Sequence, residues 1–197
     1  LNKIRSLLIL YKPIFQLDMK IYDCFMFFDE EMLLDLRLNI MNKYVDKFVI
    51  TEATYMHSGR PKKLLFDINK FSKFKDKIIY NVVDKEPPDI ETIYEEDKDE
   101  KDTRGQKLVN NSNKREHFQR EMAQESLKVL AEANPEDIIL ISDVDEIPNL
   151  NEINFNKINE KLIFFKQKMF FYKFNLLHEE INWIGSRACK KKNLISP

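Results

Sequence analysis

Residues 137–148 read DIILISDVDEIP, and this stretch decides how the rest of the chain is interpreted. The four successive apolar residues from Ile138 to Ile141 predict a strand that is buried on both faces. Two carboxylates, Asp143 and Asp145, follow at the carboxyl end of that strand. In an open α/β sheet, this is the edge where ligands bind. The stretch therefore predicts a buried parallel strand that ends in a functional acidic turn.

Three more apolar segments indicate strands upstream: residues 20–28 (KIYDCFMFF), 47–53 (KFVITEA) and 77–83 (KIIYNVV). A helical face follows the first segment at residues 33–41, and helical patterns also precede the third and fourth strands. The second amphipathic helix is predicted over residues 113–133. This alternation predicts an α/β fold with βαβ units and a mostly parallel sheet. An aromatic region at residues 161–177 predicts a hairpin.

The predicted domain organisation is simple. Residues 20–190 form a single domain, preceded by an N-terminal extension at residues 1–19 and followed by a tail at residues 191–197. A mobile acidic loop is predicted at residues 84–112, because its first part is rich in Asp and Glu and contains two consecutive prolines. This loop is either a solvated insertion or a lid that becomes ordered over a ligand.

Composition excludes several classes of protein. The chain has 197 residues, with 32 Lys and Arg against 33 Asp and Glu, so no general attraction to nucleic acid is expected. Its two cysteines, Cys24 and Cys189, lack the spacing of a structural zinc site or a disulfide framework. No apolar run is long enough for a transmembrane helix. P-loop, GxGxxG and GxSxG motifs are also absent, which excludes kinases, Rossmann dehydrogenases and serine hydrolases.

Asp143 and Asp145 are candidate ligands for a divalent metal ion. Alternate residues of a strand point to opposite sides, so a turn is needed to bring both carboxylates to one ion. Their oxygens suit Mn²⁺ or Mg²⁺, hard cations that also bind substrate phosphates. An EF-hand is excluded because Pro148 stands at the sixth loop position, where glycine is required. The alternative interpretation is a structural cap on the following turn.

Other charged residues are expected at the same sheet edge. Glu52 ends the second strand, while Arg115 and Arg120 stand on the helix before the fourth strand. A carboxylate at a strand end can bind ribose hydroxyls, and an arginine can offset the charge of a diphosphate. Taken singly, each residue is better explained as a solvated charge. Their common location is what favours a nucleotide site.

Several segments together resemble glycosyltransferase family 17, the β-1,4-mannosyl-glycoprotein β-1,4-N-acetylglucosaminyltransferase type. In chain order they are IYDCFMFFDEEMLLDLRL (21–38), VDKFVITEAT (45–54), SGRP (58–61), REHFQR (115–120), ISDVDEIP (141–148) and WIGS (183–186). The resemblance implies a GT-A type fold, with a Rossmann-like sheet and helices on both faces. It also implies that a sugar, N-acetylglucosamine, is transferred with inversion from a UDP-sugar donor to a hydroxyl of a glycan acceptor.

The resemblance implies roles for the residues of the nucleotide site. Asp143 and Asp145 would hold Mn²⁺ or Mg²⁺ against the donor diphosphate. Arg115 and Arg120 would add positive charge there, and Glu52 would hold the nucleoside.

On the acceptor side, Trp183 would stack on a sugar of the acceptor. Inversion also requires a general base to deprotonate the attacking hydroxyl. Its candidates are Glu146, which adjoins the metal motif, and Glu179 and Glu180, which precede Trp183.

Two alternatives stay open. Family members continue past the WIGS segment to a Gly-Trp-His stretch, whereas this sequence ends at Pro197 without one. A truncated, non-catalytic fragment that binds sugar nucleotides is therefore the first alternative. A nucleotidyltransferase is the second, and acidic residues 29–31 argue against it, because that class commonly has a Gly-rich basic loop there. Eukaryotic relatives carry an N-terminal membrane anchor, and its absence here predicts a cytoplasmic protein.

Overall fold

The computed structural model describes residues 19–95, 97, 103–129, 133–171 and 175–195. Within these ranges six strands form one mixed sheet: β1 (Ile21–Met26), β2 (Lys47–Ala53), β3 (Ile78–Val83), β4 (Ile138–Ser142), β5 (Ile163–Phe170) and β6 (Leu177–Lys190). Their order across the sheet is β3-β2-β1-β4-β6-β5. The α-helices of the described ranges are α1 (Glu31–Met41) and α2 (Thr103–Val129).

Strands β1 to β4 run parallel, so their carboxyl ends meet at one edge of the sheet. Cys24 in the middle of β1 pairs with Val49 of β2 on one side and with Ile141 of β4 on the other. β6 returns antiparallel beside β4, and β5 pairs antiparallel with β6. The predicted α/β class and mostly parallel sheet are confirmed. A hairpin is present, but only its first strand lies within the predicted residues 161–177, because the second strand begins at Leu177 and ends at Lys190.

Each face of the parallel strands is covered by a helix, because successive side chains of a strand point to opposite faces. On one face Phe25, Ile50 and Leu140 pack with Leu34 and Leu38 of α1. The opposite face packs against α2 through a second set of residues: Tyr22, Cys24, Val49, Ile139, Ala123 and Leu127. The near-continuous apolar runs of the central strands are therefore explained by burial on both sides.

Two helical boundaries differ from those predicted. α2 begins at Thr103 rather than at residue 113, so residues 103–112 of the predicted acidic loop are helical. This first part of α2 leaves Leu108 and Val109 exposed and is fastened by polar contacts with the preceding acidic segment, so no buried apolar face reveals it. Before β3, where a helical pattern is predicted, the structure has a short 3₁₀ helix, Ser72–Lys77.

The acidic segment before α2 packs along the N-terminal half of that helix. Asn111 makes paired hydrogen bonds with the backbone of Glu91: its Nδ2 donates to the carbonyl and its Oδ1 accepts from the amide, both at 2.8 Å. Lys107 forms an ion pair with Asp97, which lowers the pKa of that carboxyl. Residues 96 and 98–102 of the predicted loop lie outside the described residues. The described part is therefore attached to α2 by polar contacts.

The two ends of the chain are only partly described. Of the predicted extension, Met19 alone belongs to the described ranges, and it packs against the α1-side core. The predicted tail contains a 3₁₀ turn at Lys191–Asn193. Cys24 and Cys189 are both buried free thiols. Across the described residues, no helix combines the length and apolar character needed to cross a membrane.

Candidate functional site

The acidic turn follows β4 at the carboxyl edge of the parallel strands. It is closed by Glu146, whose amide donates to the carbonyl of Asp143 at 3.1 Å. The Glu146 carboxylate in turn accepts a hydrogen bond from the amide of Asp143 at 3.0 Å. The side chain of Asp143 is 46% exposed, and Asp145 is exposed as well. The turn that the two carboxylates require is therefore present.

A buried arginine holds this turn in place. Arg37 of α1 is fully buried and makes a two-pronged ion pair with Asp23 of β1, with N···O distances of 2.9 and 2.6 Å. Its Nη1 donates to the carbonyls of Asp143 at 3.0 Å, Val144 at 3.3 Å and Glu146 at 2.9 Å. One guanidinium therefore joins α1, β1 and the backbone of the acidic turn.

β6 supports the turn from the other side. The indole Nε1 of Trp183 donates to the Glu146 carboxylate at 2.7 Å, and the Ser186 hydroxyl donates to the Glu146 carbonyl at 2.8 Å. Between them, Gly185 allows a close approach, because a Cβ there would lie 2.3 Å from Oε1 of Gln167 and 2.7 Å from Oε1 of Glu146. Any side chain at this position would push Glu146 or Gln167 out of place.

Two larger clefts meet at the acidic turn, beside a smaller one of about 260 Å³ that is lined by Arg120, Asp143, Glu146 and Trp183 among others. The first cleft, about 530 Å³, lies between the ends of β1 and β4 and helix α2, and is lined by Met26, Phe27, Phe28, Glu30, Leu33, Met56, His57, Glu116, Gln119, Arg120, Asp143, Val144 and Asp145. The second cleft, about 500 Å³, lies towards β5 and β6, and is lined by Leu33, Leu36, Asp143, Asp145, Glu146, Ile147, Gln167, Lys168, Met169, Phe170 and Trp183. The two aspartates belong to the wall that both clefts share.

Arg120 brings positive charge to this wall. Its Nη2 donates to Asp143 at 2.6 Å and to Glu116 at 3.1 Å. Its Nε is buried and has no hydrogen-bond partner among the described residues. Arg120 lines the first cleft, and its contact with a diphosphate stays a prediction.

Arg115 lies behind the first cleft instead of lining it. Its guanidinium donates to the carboxylate of Glu86 at 2.9 Å and to the carbonyl of His57 at 3.3 Å. Gly59, with φ of +85°, lets the loop pass close by, since a Cβ there would lie 2.8 Å from Nη2 of Arg115. Arg115 thus positions the loop that carries His57 into the first cleft, and its contact with a nucleotide stays a prediction.

Glu52 is fully buried at the end of β2, and protein groups occupy its carboxylate. It accepts hydrogen bonds from the amides of Leu65 at 2.7 Å and Phe66 at 3.1 Å, from the Tyr80 hydroxyl at 2.8 Å, and from Lys62 through an ion pair. These contacts fasten the segment after β2 to the sheet, which is a structural role. A direct contact between Glu52 and a nucleoside stays a prediction.

The acceptor-side residues are separated by the structure. Trp183 is 41% exposed and lines the second cleft together with Glu146. Glu179 and Glu180 are exposed nearer the start of β6 and line neither of the two clefts. Of the three candidate bases, Glu146 is therefore the one placed beside the two aspartates.

The donor set fits a metal ion that binds together with a nucleotide. Within the described ranges, no group of three or more His, Cys, Asp or Glu side chains is placed to hold a metal. Asp143 and Asp145 supply two carboxylates, and Mg²⁺-type sites commonly complete their coordination with water and substrate phosphates. The chemistry of these two carboxylates thus suits an ion that also binds a diphosphate, and the metal stays a prediction.

A comparison with protein families places these features in a known group. The model of glycosyltransferase family 17 matches residues 12–193, which is most of the chain. The chain belongs to glycosyltransferase family 17. It is therefore a glycosyltransferase, as the sequence motifs predict. No match was found among curated proteins or among solved structures.

Sequence reasoning missed the residues that position the acidic turn. Arg37 and Asp23 enter the sequence analysis only as letters within a matching segment, although each is a charge inside an otherwise apolar pattern. A charge at such a position implies a buried partner of opposite sign, which was the available signal. Gly185 and Gln167 gave no such signal, because their role depends on how β6 passes the acidic turn.

The Arg37 ion pair generates a stability prediction. Arg37→Met leaves the Asp23 carboxylate buried without a counter-charge and is expected to lower the free energy of unfolding by ~3–5 kcal/mol. The double variant Asp23→Leu/Arg37→Met removes both charges and is expected to recover part of that loss. The part of the stability loss that the double variant does not recover measures the contribution of the three hydrogen bonds from Arg37 to the carbonyls of the acidic turn. Urea unfolding of the three proteins tests this, and a double variant as stable as the original chain would show that the turn does not depend on Arg37.

Tyr80 generates a prediction for alkaline stability. Burial, followed by its hydrogen bond to Glu52, raises the pKa of Tyr80 above its ordinary value of 10.0. The folded protein then keeps a proton that the unfolded chain loses, so this contribution to stability is complete below about pH 10 and is lost as the pH rises above it.

Tyr80→Phe is therefore expected to lower the free energy of unfolding by about 1 kcal/mol near neutral pH, because a hydrogen bond to Glu52 is lost. It is also expected to make the decline in stability above about pH 10 shallower. Urea midpoints across that range measure both effects, with Tyr94→Phe as the exposed control. Parallel declines for the variant and the original chain would contradict the prediction.

Proposed function

We propose that this family 17 domain transfers N-acetylglucosamine from a UDP-sugar to a hydroxyl of a glycan acceptor, with inversion and with Mn²⁺ or Mg²⁺ at Asp143 and Asp145. The observation that carries the proposal is the position of these two carboxylates in the wall shared by two clefts. A transfer reaction needs its two substrates to meet at one place. The shared wall meets that requirement.

The first cleft is assigned to the donor. Its accessible apolar side chains, among them Phe28 and Met56, suit the faces of a nucleobase and the ribose. At the other end Arg120 lies beside Asp143, where a diphosphate needs compensation of its charge. When bound, the divalent ion would stabilise the charge that develops on the departing UDP.

The second cleft is assigned to the acceptor. Trp183 offers a half-exposed ring on which a sugar can stack, held in position by its hydrogen bond to Glu146. In an inverting transfer the acceptor oxygen forms a bond to C1 as the bond from C1 to the diphosphate oxygen breaks. UDP leaves with the electron pair, and a carboxylate takes the proton of the hydroxyl. Glu146 is the candidate base that adjoins both Trp183 and the acidic turn.

The GT-A assignment is part of the same proposal. It is supported by the four parallel strands, by the helices on both faces and by the DxD turn at the carboxyl end of β4. Ligand sites of open α/β sheets lie at this edge.

The metal assignment is tested by Asp145→Asn, which removes one charge and keeps the size of the side chain. UDP binding in Mn²⁺ is expected to weaken by at least roughly tenfold, because the loss of groups near a metal commonly costs that much. Calorimetric titration with UDP and with UDP-N-acetylglucosamine, each in Mn²⁺ and in chelator, measures the effect. Glu152→Gln, an exposed acid outside both clefts, is the matched control. Unchanged affinity in Asp145→Asn would refute the metal assignment.

Arg120→Gln is expected to change the affinities for UDP and for Mn²⁺ in opposite directions. UDP affinity in Mn²⁺ is expected to fall, since a cation beside the diphosphate is removed. Affinity for Mn²⁺ alone is expected to rise, because Asp143 no longer pairs with a guanidinium. Titrating the same variant with each ligand separates the two effects. A fall in both affinities would show that Arg120 supports the fold of the turn instead of the nucleotide.

A further inference from the structure

The second cleft contains an apolar wall that the proposed transfer does not use. The side chains that form it are Leu33, Leu36, Ile147, Met169 and Phe170, and it adjoins Trp183, on which the acceptor sugar is placed. Leu36 is 44% exposed and Phe170 is 43% exposed, so both offer apolar surface to a ligand. Contiguous exposed apolar surface in a cleft is a common sign of a binding site.

Polarity changes along β5 within this cleft. Gln167 lies at the polar end, where its Oε1 accepts from the amide of Ser186 at 2.9 Å. Phe170 comes three residues later along the strand and pairs with Leu177 at the far end of the hairpin. Along β5 the lining of the cleft therefore changes from the Gln167 amide, beside Gly185, to the apolar side chains of Met169 and Phe170.

This polarity indicates the chemical nature of the group attached to the acceptor sugar. A long glycan lying over Leu36 and Met169 would lose hydrogen bonds with water, and aliphatic side chains offer none in exchange. An alkyl chain in the same place gains roughly fourfold in affinity for each methylene group that it buries. Lys168 also lines this end, and the methylenes of its stem add to the apolar surface while its ammonium stays exposed.

We propose that the acceptor is a glycoside whose aglycone is apolar. Its sugar lies beside Asp145 and Trp183, and its chain lies along Leu36, Met169 and Phe170. This inference rests on the proposed function, because it places the acceptor in the second cleft and the donor in the first.

Trp183 makes the proposal directly measurable, because it is the single tryptophan of the sequence and lines this cleft. Its fluorescence is titrated with methyl and hexyl β-glycosides of glucose, galactose, mannose and N-acetylglucosamine, below micelle-forming concentrations and with UDP and Mn²⁺ present. For at least one sugar, the hexyl glycoside is expected to bind at least roughly tenfold tighter than the methyl glycoside. Equal affinities within each of the four pairs would overturn the proposal.

Two controls separate a chain-binding site from general adhesion. Leu36→Gln is expected to reduce the preference for the hexyl glycoside by at least roughly threefold and to leave methyl glycoside affinity unchanged. Met32→Gln, on the same helix, 69% exposed and outside the cleft, is expected to change neither. A hexyl ether of tetraethylene glycol that binds as tightly as every hexyl glycoside would overturn the proposal, because the wall would then not recognise a glycoside.

Titration of the same sample with UDP and Mn²⁺ distinguishes the two proposals. Metal-dependent UDP binding without a preference for the hexyl chain overturns the inference about the acceptor and leaves the proposed transfer standing. Failure of UDP to bind overturns the proposed function, and the inference falls with it.

Discussion

The ion pair between Arg37 and Asp23 is the contact on which the rest of the site depends. Burying a guanidinium and a carboxylate is costly unless both are fully hydrogen bonded. Asp23 uses both carboxylate oxygens on Arg37, and Arg37 directs its remaining contacts to three carbonyls of the acidic turn. The ring of Phe25 lies 4.6 Å from the guanidinium carbon and closes the pair from solvent. The position of the turn is thus tied to the centre of the sheet, where movement is most restricted.

The rigid turn explains how a two-carboxylate motif can serve two clefts. Exposed aspartates on a free loop would adopt many orientations, and ordering them would cost conformational entropy when a ligand binds. Here Arg37 supports the turn from α1, and Ser186 and Trp183 support it from β6. Asp143 and Asp145 therefore project from a backbone that is already ordered. Pre-organisation of this kind is what a transfer reaction between two bound substrates requires.

The sequence allowed the sheet to be predicted well because the central strands are buried on both faces and leave unbroken apolar runs. The same reasoning correctly placed Asp143 and Asp145 at the carboxyl edge of the parallel strands. It failed where tertiary contacts decide the outcome. The N-terminal half of α2 buries no clear apolar face and is stabilised by polar contacts of Asn111 and Lys107. Glu52 lies at the end of β2, as predicted. Its hydrogen-bond and ion-pair partners come from residues 62–80, and no local sequence pattern indicates that these residues contact Glu52.

The central claim is that a metal–nucleotide complex binds at the turn beside Trp183. The indole N–H of this single tryptophan gives one isolated signal in an ¹⁵N correlation spectrum, and Mn²⁺ broadens signals of nearby nuclei. With UDP present, Mn²⁺ is expected to broaden the indole signal at concentrations that spare the amides of Ile21 and Ile138, at the opposite edge of the sheet. Mg²⁺ should cause no broadening. The account would be contradicted if the amide signals of Ile21 and Ile138 broadened before the indole signal. It would also be contradicted if UDP bound and none of these signals broadened.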